Sequence, residues 1–313
     1  MRGWWQDLTD LVLPAECGGC GRPRTVLCPE CRAALTGAVP SRVRPEPEPP
    51  GLPVVHAAAP YEDEVRAVLL AHKERGALML ARPLGAALAG AVRAGLATGG
   101  GSGLAGLVPG VGSGAAGFVP GGGGPGGPGA PVGVGGSMTP VSLVPVPSAP
   151  WAVRARGHDP ARRIALAAAG ELRRTGTPAR VVAVLRQRRA VADQSGLNSR
   201  QRLDNLAGAL EVPAGGARLL AGGGRVVIVD DLMTTGASLT EAARALKAVL
   251  VARTGPYGRV TPKVTGEGMS QATVTGVGRP EAVREMRGTS GAEGMLAAAV
   301  VAATPASFEI NRN

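Results

Sequence analysis

Four groups of side chains in this 313-residue sequence have types and spacings that could do chemistry. The densest is Asp230-Asp231-Leu-Met-Thr234-Thr235-Gly236-Ala237-Ser238. Adjacent carboxylates accept hydrogen bonds from vicinal hydroxyls. The hydroxyl-rich turn behind them leads into a helical pattern. Such a turn offers hydroxyl and free backbone N–H donors to a phosphate, and the helix dipole favours the same charge. Gly236 lets the backbone approach closely. Carboxylates repel phosphate, so pair and turn together ask for a sugar phosphate with free hydroxyls. An ordinary strand–turn–helix unit is the plainer reading of the same residues.

The second group holds all four cysteines, Cys17-Gly-Gly-Cys20 and Cys28-Pro-Glu-Cys31. Two Cys-x-x-Cys knuckles bring four thiolates within reach of a tetrahedral Zn²⁺. The short spacer makes this a small zinc ribbon. With no His or carboxylate to leave an open position, the zinc would be structural. Reactive or disulfide-forming pairs are the alternative, and a reducing compartment disfavours them. The third group, Arg154, Arg156 and Gly157, precedes a helix expected over 160–174. Bidentate donors beside free N–H groups suit a pyrophosphate. The fourth is the polar stretch 186–205, where Arg186, Arg188, Arg189, Arg200 and Arg202 flank Gln194 and Asn205. It reads either as a solvated basic loop and helix or as a mobile lid over a polyanion.

These groups need a scaffold, and the periodicities supply one. Val226 to Val229 reads as a buried parallel strand ending at the two aspartates. Leu239, Ala242, Ala243, Leu246 and Val249 then follow at helical spacing. Strands are also expected at 54–59, 141–147, 181–185, 210–212 and 297–303, and helices at 61–76 and 77–97. In the first of those helices His72 faces inward as a structural residue. Lys73 is either a phosphate contact or a solvated helix-end cation. Three units result: an N-terminal module (1–36), opened by an amphipathic helix at 1–13, a Pro-rich linker (37–53) and an α/β domain (54–313). The helix at 1–13 packs on the module or, less simply, anchors to a membrane.

Two stretches interrupt the domain. From Gly99 to Gly136, nineteen of 38 residues are glycine, and such a chain cannot offset its conformational entropy by burial. Residues 98–137 therefore read as a disordered insertion, and the polar, Gly/Thr-rich 253–294 as a second. No run of 18 apolar residues predicts a membrane span, and no signal peptide is visible, so a cytoplasmic protein is expected. A net charge of +11 would suit an anionic partner such as nucleic acid. Only three residues are lysine, and an Ala/Gly/Pro/Arg bias of this kind also follows from a high-GC genome.

The 225–238 stretch resembles the phosphoribosyl-pyrophosphate (PRPP) motif of type I phosphoribosyltransferases. Taken in order, the Cys₄ module, the Tyr61…Lys73 helix, the Val144-Pro-Val-Pro147…Arg154-x-Arg-Gly157 segment and the Gln194…Arg202…Asn205 stretch resemble the ComF family of competence proteins. The resemblance implies a type I phosphoribosyltransferase-like twisted parallel sheet flanked by helices. It implies PRPP with Mg²⁺ at Asp230, Asp231, Thr234, Thr235, Gly236, Ala237 and Ser238, with Arg154, Arg156 and Gly157 on the pyrophosphate side. His158 and Asp159 stand where that family usually has an aromatic residue and Asn. Two functions follow. One is phosphoribosyl transfer to a nitrogen acceptor, with Asp230 and Asp231 holding the ribose hydroxyls. The other is an adaptor in uptake or processing of single-stranded DNA, with the zinc module and 186–202 engaging DNA or a DNA-processing protein. The scarcity of aromatics, 2%, argues against stacking on bases.

Overall fold

A run of four β-branched residues suits a strand covered on both faces. The structure, a computed structural model that describes residues 16–98, 140–191, 196, 198–220, 224–254 and 296–311, places Val226–Val229 at the centre of a six-stranded sheet. The first elements are α1 (Pro29–Thr36), β1 (Ser41–Val43), β2 (Val55–Pro60), α2 (Asp63–Lys73) and, after a 3₁₀ turn, α3 (Ala81–Thr98). Then come β3 (Val141–Pro145), α4 (Pro150–Arg156), α5 (Pro160–Arg174) and β4 (Ala179–Val181). A small hairpin unit follows: β5 (Arg186–Gln187), α6 (Ser199–Leu206) and β6 (Leu210–Glu211). The chain continues through α7 (Gly216–Leu219), β7 (Val226–Met233), α8 (Ala237–Thr254) and β8 (Leu296–Ala303).

The sheet order is β1-β2-β8-β7-β3-β4. Every pairing is parallel except β1 with β2. Alternate side chains of a strand point to opposite faces. Val227 and Val229 of β7 therefore join the core built by α1, α2, α3 and α5. Val226 and Ile228 join the core built with α8, whose buried stripe is Leu239, Ala242, Ala243 and Leu246. From β3 the chain moves outward to β4, and from β7 it moves outward the other way to β8. Right-handed crossovers in opposite directions put their helices on opposite faces. The strand order thus reverses between β3 and β7, and a crevice opens at their carboxyl ends.

Several expectations change. The central strand runs on to Met233, so Asp230 and Asp231 lie inside it and not at its end. Pairing with β8 extends that far, whereas β3 stops at Pro145 opposite Val229. The strand expected at 181–185 is shorter and earlier, at Ala179–Val181. The linker 37–53 contains β1, so it is part of the sheet. Arg154 and Arg156, read from sequence only as preceding a helix, sit in the last turn of a helix of their own, α4, and Gly157 ends it with a left-handed φ of 75°. The helix expected at 1–13, residues 99–137, Gln194 and residues 255–294 lie outside the described residues. Among the described residues no helix is long and apolar enough to cross a membrane.

Candidate functional site

The crevice between β3 and β7 is a cleft of about 380 Å³. Its floor is the stretch of β7 that outruns β3, with Asp230 and Asp231. One wall is the segment from Val146 through Ala152, which includes the exposed Trp151. The hairpin unit supplies another through Gln187, Leu206 and Leu210. Thr234 and Ser238 close the end nearest α8.

Because adjacent strand residues face opposite sides, the two aspartates meet different surroundings. Asp231 shares the face of Val227 and Val229, towards α2. There the Lys73 ammonium lies 3.0 Å from its Oδ2. Burial pushes the Asp231 carboxyl up, but Lys73, together with hydrogen bonding to Asp230 and to the Leu232 backbone, holds the group below the usual carboxylate range. The same pairing raises Lys73 above the usual amine range. Among the described residues no cation forms an ion pair with Asp230, and Lys73 acts on it only from beyond its partner Asp231. Burial and the neighbouring Asp231 charge push it well above the usual range, although its Oδ1 accepts the Asp231 N–H at 2.8 Å. One carboxylate of the pair is thus firmly ionised and the other readily protonated.

The turn after β7 is built for close approach. Gly236 has φ 74°. A Cβ there would lie 3.1 Å from Leu52 and 3.4 Å from Pro45. The Pro-rich segment taken for a linker therefore packs over this turn. Residues from Leu232 to Leu239 enclose a hollow of about 30 Å³ at the start of α8. First-turn N–H groups of a helix have no intrahelical acceptor, so this hollow suits one anionic group. Arg202 of α6 comes to the same place: its Nη1 donates to Thr234 Oγ1 at 3.4 Å, and its buried Nε has no acceptor among the described residues. A guanidinium with spare donors beside a helix start favours an anion between them.

On the far side of the cleft Arg156 lines the wall and donates through Nε to Glu74 at 3.0 Å. Arg154 and Gly157 are exposed and do not border the cleft. His158 and Asp159 have structural tasks. His158 is buried against His72, with ring centroids 5.5 Å apart. Asp159 caps α5 by accepting the Arg162 N–H and holds Ser148. Of the five arginines in the basic stretch, Arg186 donates to Glu211 and Arg189 to the carbonyls of Asn205 and Ala207. The hairpin unit uses part of its own charge to hold itself together.

Glu241 and Arg244 of α8 fix that unit from below. Glu241 accepts the Leu210 N–H at 2.9 Å, and Arg244 donates to the Leu210 carbonyl at 2.8 Å. Both polar groups of one cleft-lining residue are thus gripped by one ion pair. Reading the sequence raised Lys73 as one of two alternatives and Arg202 as part of a polar stretch, without placing either beside the aspartates or the glycine turn, and it passed over Glu241 and Arg244. For Lys73 and Arg202 the signal was present, in a cation at a helix end and an arginine in the polar stretch. For Glu241 and Arg244 only their i,i+3 spacing on α8 was visible.

The four cysteines meet elsewhere. Their sulfurs all lie within 4.8 Å of one another, positioned to hold a metal ion. None is disulfide-bonded. The Cys28 N–H donates to Cys17 Sγ at 3.3 Å and the Cys31 N–H to Cys28 Sγ at 3.5 Å, contacts that favour thiolates. Cys17, Cys28 and Cys31 belong to the same apolar core as Leu35, Val65 and Leu80. The knuckles are thus an extension of the domain core on the α2–α3 face.

No protein-family model matches this sequence, and no curated protein does.

Proposed function

We propose that the chain is a ComF-like, type I phosphoribosyltransferase-like protein that binds PRPP with Mg²⁺ in the β3–β7 cleft and transfers the phosphoribosyl group to a nitrogen acceptor. One observation carries this reading. The carboxylate pair, the glycine turn and the start of α8 occur together at the reversal of strand order, where open parallel sheets bind their ligands. The 5′-phosphate would take the hollow of residues 232–239, within reach of Arg202. The ribose hydroxyls would donate to Asp230 and Asp231. The pyrophosphate would extend towards Arg156. Lys73 keeps Asp231 ionised and so fit to accept such bonds.

The chemistry asked of the protein is modest. The acceptor nitrogen forms a bond to the anomeric carbon as the bond to pyrophosphate breaks, and positive charge develops on the sugar. The chain's contribution is to position the reactants and to stabilise the leaving charge with fixed cations. Mg²⁺, brought in with PRPP, would supply further neutralisation of the pyrophosphate. The cysteine cluster fits a structural Zn²⁺, because four thiolates and no open position describe a closed site.

Calorimetric titration of Mg–PRPP into the full chain tests this reading. Wild-type protein should bind, and Asp230→Ala and Asp231→Ala should each weaken binding at least about tenfold, which is the loss of about 1.4 kcal/mol expected for a hydrogen bond to a charged group. Wild-type protein that does not bind Mg–PRPP would end the proposal.

A further inference from the structure

A second hollow, of about 430 Å³, opens on the other side of α6 from the cleft. Leu203 and Asp204 of α6, with Ala207 just past its end, form one wall, and Thr240, Arg244 and Lys247 of α8 form the other. The two-turn helix α6 is thus a partition: Leu206 faces the cleft, Arg202 faces the glycine turn, and Asp204 faces the second hollow. A volume of this size lies within the range that holds small molecules.

The charges around the hollow differ in how they are used. Arg244 is bound to Glu241 through two contacts of 2.7 Å, and both also hold Leu210. That pair is satisfied internally. Among the described residues Lys247 makes one long contact, 3.5 Å to the Gly51 carbonyl. Among the described residues, neither Lys247 nor Asp204 takes part in an ion pair. An ammonium and a carboxylate therefore face one hollow from opposite walls. Between them the surface is largely carbon, from Leu203 and Ala207, and the buried Thr240 hydroxyl has no partner among the described residues.

We infer that this hollow binds a small zwitterion with an apolar body, the chemistry of a free amino acid. Its ammonium group faces Asp204 and its carboxylate faces Lys247. A simple carboxylic acid satisfies Lys247 and leaves Asp204 facing a like charge. A simple amine does the reverse. A polyphosphate brings several negative charges against Asp204 and Glu241. Only a ligand with both signs matches both walls while its carbon covers the apolar strip between them. The inference stands on this hollow alone and does not depend on what the β3–β7 cleft binds.

Calorimetric titrations of the full chain test it, with L-leucine and 6-aminohexanoate as zwitterions of short and long charge separation. The single-charge controls are 4-methylpentanoate and 3-methylbutylamine. At least one zwitterion should bind saturably, and both single-charge compounds should bind at least tenfold more weakly. Asp204→Asn and Lys247→Met should each lower the zwitterion affinity at least tenfold. Asp204 is exposed and Lys247 only half-buried, so both variants should keep the wild-type melting temperature. The inference is overturned if neither zwitterion binds, if a single-charge compound binds as tightly, or if both variants retain wild-type affinity.

Discussion

Replacing Lys73 by methionine keeps most of the aliphatic stem and removes the charge that faces Asp231. At 3.0 Å, Coulomb's law gives about 5.5 kcal/mol for an effective dielectric near 20 and about 1.4 kcal/mol in bulk water. The Asp231 side chain is 8% exposed and that of Lys73 34%, so water screens the pair from one side. Screening brings the expected coupling to about 1–2 kcal/mol. The single substitution should cost more, about 2–3 kcal/mol, because it strands a buried carboxylate. The loss should also depend on pH in a defined sense. In the wild type Asp231 titrates below its unfolded value, so its contribution is present above that value and is lost as pH falls through the lower, folded one. In Lys73→Met the depression is gone, burial dominates, and Asp231 takes up a proton at higher pH. Wild type and variant should therefore differ most near pH 7 and converge as pH falls towards 4. Urea unfolding followed by circular dichroism reads this directly, on wild type, Lys73→Met, Asp231→Asn and the double variant. The reasoning is refuted if the two single losses add within about 0.5 kcal/mol, or if the gap is the same at pH 7 and pH 4.

Three further outcomes are expected. Gly85→Ala should destabilise by about 1–3 kcal/mol through overpacking, since its new Cβ would lie 2.5 Å from the Ala167 Cβ and 2.8 Å from that residue's carbonyl carbon. Gly170→Ala, on α5 with nothing within 4 Å, should instead stabilise by up to about 1 kcal/mol, and thermal unfolding of the two variants compares them. Protein purified without chelator should carry one zinc per chain by metal analysis. Chelation or Cys28→Ser should lower its stability by at least about 3 kcal/mol, because the knuckles extend the domain core. Lastly, the raised Asp230 carboxyl should make Mg–PRPP affinity fall as pH is lowered towards 5, while stability moves the opposite way. The folded protein retains a proton that the unfolded chain has lost, so folding weakens as pH rises from the ordinary carboxylate value through the raised one. Affinity that is level between pH 8 and pH 5 would count against this.

What could be read in the sequence was local. The β-branched run at 226–229 and the three-and-four spacing from Leu239 to Leu246 carry their burial in their own periodicity, and both elements are where that periodicity puts them. The cysteine knuckles carry theirs in short spacings. The Pro150–Arg156 helix had signals too, a proline at its first turn and a glycine past its end, but its seven residues gave no periodicity to weigh. The remaining features depend on distant partners. Nothing near Lys73 announces Asp231, and nothing near Pro45 or Leu52 announces Gly236. Such contacts follow from the order in which strands pair. That order is set by burial over the whole sheet, and no single segment records it.

The position of Trp151 has an optical consequence. The chain has three tryptophans, Trp4, Trp5 and Trp151, and the last stands 60% exposed in the wall of the cleft. The sheet and its helices are packed with Ala, Val and Leu and contain no indole among their described buried residues. In a Trp4→Phe/Trp5→Phe background, fluorescence would come from one ring, in contact with the solvent that a ligand displaces. The emission maximum would then report filling of the cleft and stay nearly silent about the rest of the molecule. In this chain, a core poor in aromatics leaves the binding wall as a natural probe.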